Sequence, residues 1–122
     1  MTTVLDASAV LAFLSGEPGT EIVEQAIMTG AVCSAANWAE VARKALAAGR
    51  DWETAHALLV SVGLRIEPVT QEDAEWAARR WRKGEGLSLA DRLCLALARR
   101  LEVTAYTADS AWGTGPGVRQ IR

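Results

Sequence analysis

The stretch Val4–Phe13, VLDASAVLAF, decides how the rest of the chain is read. Thr2–Leu5 has the look of a short β-strand. Ala7–Leu14 has helical composition and is closed by a turn at Gly16 and Pro18. One carboxylate, Asp6, stands where the apolar strand hands over to the apolar helix. It has two readings. Asp6 caps the helix that begins at Ala7, since an Asp side chain accepts from the free N–H groups of a first turn. Alternatively, it belongs to a site at the end of a sheet.

Outward from this stretch, strand-like and helix-like segments alternate. Thr20–Met28 carries Ile22, Val23, Ala26 and Ile27 at helical spacing and stops at Gly30; Ala31–Ser34 is a second short strand. Ala35–Ala48 and Trp52–Val62 are helices closed by Gly49 and Gly63, and Leu64–Val69 alternates as a strand does. Gln71–Lys83 is helical up to Gly84, Ser88–Leu101 is a strongly amphipathic helix, and Val103–Thr107 and Val118–Ile121 are the last strands. This alternation indicates an α/β sandwich around a parallel sheet, a class in which functional groups collect at the carboxyl ends of the strands.

The composition bounds the function. The chain has 122 residues, half of them hydrophobic, which fits one domain spanning 1–122 with a substantial core. The net charge of −2 supplies no global attraction to nucleic acid, so any such contact must be local. Basic residues cluster at Arg79, Arg80, Arg82 and Lys83 and at Arg99 and Arg100; each cluster alone reads as a solvated helix face. Cys33 and Cys94 lie in apolar surroundings and read as buried reduced thiols, with no zinc-like grouping. No leader-like stretch and no membrane-length apolar run is visible, so a cytoplasmic, non-membrane protein is expected. Five Trp residues are a mild sign of a partner surface. No nucleotide-cradling glycine motif is present, and His56, the sole histidine, reads as structural.

Four acids fall near strand ends or on helices beside them: Asp6, Glu40, Asp91 and Asp109. Each has an ordinary explanation. Asp6 and Asp109 are placed to cap following turns, Glu40 to pair with Lys44 or Arg43 or to join Asn37 in a loose capping box, and Ser88–Asp91 is an S-x-x-D capping box. Thr70–Asp73 is a second such box and serves as a control. The helical neighbours of Asp73 are Trp76, Ala77 and Arg80; those of Asp91 are Leu87, Cys94, Leu95 and Ala98. Asp91 is therefore expected to face the sheet from an apolar stripe, where a carboxylate needs protonation or a cation. With only carboxylates and the hydroxyls of Ser8, Thr107 and Ser110 on offer, the cation expected is Mg²⁺ or Mn²⁺. Such a site suits phosphoryl transfer, the ion clamping and polarising a phosphate and activating water.

VLDASAVLAFL, NWAEV, LSLADRLCLALARRL and YTADSAW, in this order, resemble the PIN-domain family, and within it the toxin ribonucleases of VapBC-type toxin–antitoxin pairs. The likeness covers nearly the whole chain. It implies a three-layer α/β/α fold with a short, mainly parallel central sheet. It also implies a Mg²⁺- or Mn²⁺-dependent endoribonuclease acting as the toxin of a type II pair. The acidic quartet carries over to Asp6, Glu40, Asp91 and Asp109 as catalytic and metal-binding residues, with Asp6 and Asp91 the firmest ligands and Ser8 a supporting polar contact. A homodimer, an RNA substrate and a cognate antitoxin laid across the site are further implications. Ser110 departs from the family, in which many relatives carry a basic residue at that place. Arg43, Lys44, Arg82, Lys83 and Arg92 are candidates to offset the acidity around the groove, and Trp38 and Trp112 are candidates to line it.

Two other classes compete. An aspartate-nucleophile phosphatase would want a second acid where Ser8 stands, and a phosphoaspartate receiver would want a late-strand Lys, absent after Thr107. A non-catalytic PIN-like interaction module is the stronger alternative.

Overall fold

The computed structural model of the chain describes residues 2–122. Its elements are β1 (Thr3–Leu5), α1 (Ala7–Ser15), α2 (Thr20–Thr29), β2 (Ala31–Ser34), α3 (Ala35–Ala47), α4 (Trp52–Ser61), β3 (Arg65–Glu67), α5 (Gln71–Arg79), α6 (Leu89–Leu101), β4 (Ala105–Thr107) and β5 (Val118–Gln120). A 3-10 turn, Ser110–Trp112, follows β4. The strands form one sheet in the order β3-β2-β1-β4-β5, and every neighbouring pair is parallel.

Short apolar strands suit this arrangement because helices cover both faces of the sheet. On one face Leu5, Ala31 and Cys33 pack with Val10, Val23, Val41 and Leu59 from α1 to α4. On the other, Val4, Val32 and Ala105 pack with Cys94, Leu97 and Ala98 of α6. The α5 helix lies against α6. The three-layer α/β/α architecture expected from the sequence is thus present, and the sheet is wholly parallel. Among the described residues, no helix is long and apolar enough to cross a membrane.

The chain runs β1 to β2 to β3 towards one edge, then returns to place β4 and β5 on the other side of β1. The carboxyl ends of β1 and β4 therefore flank the point where strand order reverses, where parallel α/β sheets open a crevice. Asp6 follows β1 directly, and Thr107 ends β4.

Two local features differ from the sequence expectation or explain it. The α5 helix ends at Arg79, four residues before the expected Lys83. Arg80 forks onto Glu85 at 2.7 and 2.9 Å, and Arg82 Nη1 donates to the Arg79 and Trp81 carbonyls, both at 3.1 Å. These bonds satisfy helix-end carbonyls and close a turn inside a stretch whose pattern still looks helical. Gly19 has φ 95°, and a Cβ there would stand 2.6 Å from the Ile121 carbonyl oxygen. Only glycine permits that approach of the C-terminal segment to the start of α2.

Candidate metal centre

Asp6 is 3% exposed and its carboxylate accepts three hydrogen bonds. Ser8 Oγ and Ala9 N donate to Oδ1, both at 2.8 Å, and Thr107 Oγ1 donates to Oδ2 at 2.6 Å. Thr107 Oγ1 also accepts from Asp109 N at 2.9 Å, and Ser8 Oγ accepts from Ala108 N at 2.8 Å. Asp6, Ser8 and Thr107 thus join the end of β1 to the end of β4. Three donors would ordinarily hold a carboxyl low. Burial outweighs them, with a small further push from the Asp91 charge, and raises Asp6 to about 6.

The other three acids stand on separate elements: Glu40 on α3, Asp91 on α6 and Asp109 before the turn that follows β4. Asp91, in the first turn of α6, is half-buried and raised. Burial is the largest cause; the bonds at Ser88 pull it down, and the charges of Glu40 and Asp109 push it up. Glu40 and Asp6 both act on the buried Cys33 thiol, pushed mainly by burial to about 12, and Asp6 and Asp91 both act on Cys94. Asp91 thus links the four carboxyl groups: it feels the charges of Glu40 and Asp109 and adds its own to Asp6.

Each acid also fills its ordinary role. Asp6 caps α1, and Asp109 Oδ1 accepts from Ala111 N at 2.9 Å. Asp91 Oδ2 accepts from Ser88 N at 2.9 Å, completing the capping box, and Lys44 Nζ stands 3.2 Å from Glu40. Held by these separate partners, the carboxylates stand apart. Among the described residues no three Asp, Glu, His or Cys side chains are close enough to share an ion. Mutual repulsion and local capping both favour that spread. The donor set itself, carboxylates with the Ser8 and Thr107 hydroxyls, fits a hard divalent cation.

The comparison of Asp73 with Asp91 comes out inverted. Asp73 is the more buried of the two, 3% exposed, and Arg100 Nε and Nη2 donate to it at 3.0 and 3.1 Å. Burial pushes its carboxyl up, but the bonds from Arg100 and Thr70 win and hold it below the usual range. The helical neighbours of Asp73 do not show this because its cation comes from α6, twenty-seven positions away. The Asn37–Glu40 capping box is also absent, since Ser34 caps α3. Asn37 is instead fully buried inside α3, where its Nδ2 donates to the Ala90 carbonyl at 3.3 Å while its Oδ1 has no partner. It ties the helix of Glu40 to the residue before Asp91. Sequence reading missed the buried tie made by Asn37, and offered Thr107 only as one of three hydroxyls, without its bond to Asp6. The only signal was the position of Asn37 one turn before Glu40, and of Thr107 two before Asp109.

Among the other candidates, Trp38 stacks edge-on against Trp52 and His56, and Trp112 is buried against the α6 side of the sheet. Lys44 is taken by Glu40, and Arg92 Nη1 donates to the Ala77 carbonyl at 2.6 Å. A cavity of about 480 Å³ lined by Thr3, Arg65, Glu102 and Thr104 lies at the amino ends of the strands, away from the acids.

The PIN-domain family model matches residues 3–113. Among solved structures, the chain is similar to a toxin–antitoxin complex from Klebsiella pneumoniae at 23% identity, with 98% of each chain covered and a TM-score of 0.74. It is similar to VapC20 of Mycobacterium tuberculosis, described as a sarcin–ricin loop cleaving toxin, at 21% identity over 93% of this chain and 96% of that one, TM-score 0.71. A DNA-bound VapBC from Salmonella typhimurium matches at 15% identity over 100% and 99%, TM-score 0.71. No curated protein matches the sequence. With the family model spanning β1 to β4 and the helices between them, this chain belongs to the PIN-domain family.

Proposed function

We propose that this protein is a metal-dependent endoribonuclease and the toxin of a type II toxin–antitoxin pair. The observation that carries the reading is Asp6. A carboxylate 3% exposed, lifted to about 6 in spite of three hydrogen bonds, and facing the charge of Asp91, itself raised by burial and by Glu40 and Asp109, is a site that gains by taking up positive charge. Asp6 and Asp91 would hold Mg²⁺ or Mn²⁺, with Glu40 and Asp109 completing the oxygen set. When bound, the ion supplies charge that polarises the scissile phosphate and eases ionisation of water. Ser8 and Thr107 fix the Asp6 carboxylate through bonds at 2.8 and 2.6 Å, so little reorganisation is left to the moment of reaction. Glu40 and Asp91, which meet Lys44 and the Ser88 N–H, would hold the ion through their carboxylate oxygens.

The likeness to toxin–antitoxin complexes and to VapC20 supports an RNA substrate and a cognate antitoxin as partner, and a homodimer is proposed on the same family grounds. The deciding assay is cleavage of RNA with Mg²⁺ or Mn²⁺, with chelator, and with Asp6→Ala and Asp91→Ala. Cleavage should require the metal and fall by several orders of magnitude in either variant. Activity that survives chelation or both substitutions refutes the proposal. A folded, metal-binding protein that cuts no RNA would instead be a non-catalytic PIN-like module.

A further inference from the structure

Trp81 is 57% exposed, although a Trp side chain is among the costliest to leave in water. It is not on a slack loop. The Arg80–Glu85 fork and the two bonds from Arg82 to helix-end carbonyls fix the turn in which it stands. Arg92 Nη1, held at 2.6 Å by the Ala77 carbonyl, bolts the first turn of α6 to the last turns of α5. Trp81 lies four residues beyond Ala77, and Asp91 immediately precedes Arg92. The indole and the Asp91 carboxylate therefore occupy the same end of the α5–α6 hairpin.

The charges nearby are unevenly committed. Arg79 pairs with Glu75, Arg80 with Glu85, Arg99 with Glu72 and Arg100 with Asp73. Arg82 and Lys83, both exposed, have no acidic partner within salt-bridge distance among the described residues. On a chain of net charge −2, this is a local positive spot beside a solvent-facing aromatic. That pairing is what single-stranded nucleic acid requires: a face for a base to stack on and cations for the phosphates beside it.

We infer that Trp81, Arg82 and Lys83 form a stacking platform that holds one base and the adjoining phosphates of single-stranded RNA as it enters the acidic site. The inference rests on the ribonuclease reading above and names a substrate contact within it. A protein partner fits the spot less well. Interface cores are poor in Lys, and the neighbours of Trp81 are cations and glycines, with Leu89 the exposed large apolar residue on the same hairpin. The exposed Leu46, Leu58 and Val60 lie on α3 and α4 instead.

The test is binding of a 5′-fluorescein-labelled single-stranded RNA of about twelve nucleotides, followed by anisotropy in chelator and low salt so that no cleavage intervenes. Trp81→Ala should weaken binding roughly 5- to 150-fold, and Trp81→Phe should recover most of that loss. Lys83→Gln should flatten the salt dependence by about one phosphate contact. With Mg²⁺ or Mn²⁺ present, Trp81→Ala should raise KM and leave kcat nearly unchanged. Unaltered RNA affinity in Trp81→Ala overturns the inference, as does a wild-type protein that binds no labelled RNA. Unchanged RNA affinity with altered oligomeric state or weakened antitoxin binding overturns it in favour of a protein surface. Wild-type RNA binding that depends on Trp81 without any cleavage would sustain the platform while refuting the nuclease reading. Normal cleavage insensitive to Trp81 would do the reverse.

Discussion

Asp6→Asn should make the metal-free protein more stable, and the size of the gain follows from the site. The carboxyl is raised from 3.8 to about 6, roughly two units, and each unit is worth about 1.36 kcal/mol. Because Asp6 is 3% exposed, solvent screening takes little from that figure. Its ionisation then costs the folded state about 3 kcal/mol at neutral pH. The amide in the variant keeps the Oδ1 acceptor for Ala9 N and Ser8 Oγ, while the Thr107 hydroxyl must turn to accept from its NH₂, an offset of about 1 kcal/mol. The expected net gain is about 2 kcal/mol. The sign with pH is definite. The folded state binds the Asp6 proton more tightly than the unfolded chain does. The penalty is therefore complete above about pH 6, fades as pH falls, and is gone below 3.8, where both states are protonated. Urea unfolding followed by Trp fluorescence in chelator, at about pH 7.5 and about pH 4, should show the variant ahead at the first and level at the second. With Mn²⁺ at about a hundred times its dissociation constant, the wild type alone should gain about 2.7 kcal/mol. A variant no more stable than wild type in chelator at neutral pH, or a difference independent of pH, refutes the account of Asp6 as a charge held against its preference.

Two further outcomes follow from the helices around the site. Arg100→Met strands the buried Asp73 carboxylate and should cost about 3–5 kcal/mol in urea unfolding; Asp73→Asn in the same chain should return part of it. Since Asp73 is held below its ordinary value, its contribution is full above the unfolded pKa near 3.8 and disappears as pH falls through the lower folded value. Asn37→Leu keeps the volume at a fully buried position and removes an acceptor that has no partner, so stability should stay within about 1 kcal/mol. The tie from α3 to Ala90 is lost, however, and Mn²⁺ affinity by calorimetry should drop about 10- to 100-fold. A large loss of stability with unchanged metal affinity would make Asn37 a packing residue only.

The sequence by itself determined the alternation of elements, because strand and helix periodicities and terminal glycines are local properties of the chain. It also placed an acid after the first strand, and the order VLDAS, NWAEV, LSLADR and YTAD carried the family. What tertiary structure decided were matters of long-range pairing. Asp73 and Asp91 open look-alike capping boxes, and only the docking of α6 on α5 brings Arg100 to the first and leaves the second facing Glu40 and Asp109. Beyond the early end of α5, Arg80 pairs with Glu85 across a turn that the helical pattern of the stretch does not show. Asn37 reads as a surface capping residue until α3 packs on α6 and buries it. Asp6, read alone, is a helix cap, and it is one. Its second character arises because a parallel sheet puts the ends of β1 and β4 side by side, so that burial, the Thr107 hydroxyl and the charge of Asp91 act on one carboxylate that local sequence can only position.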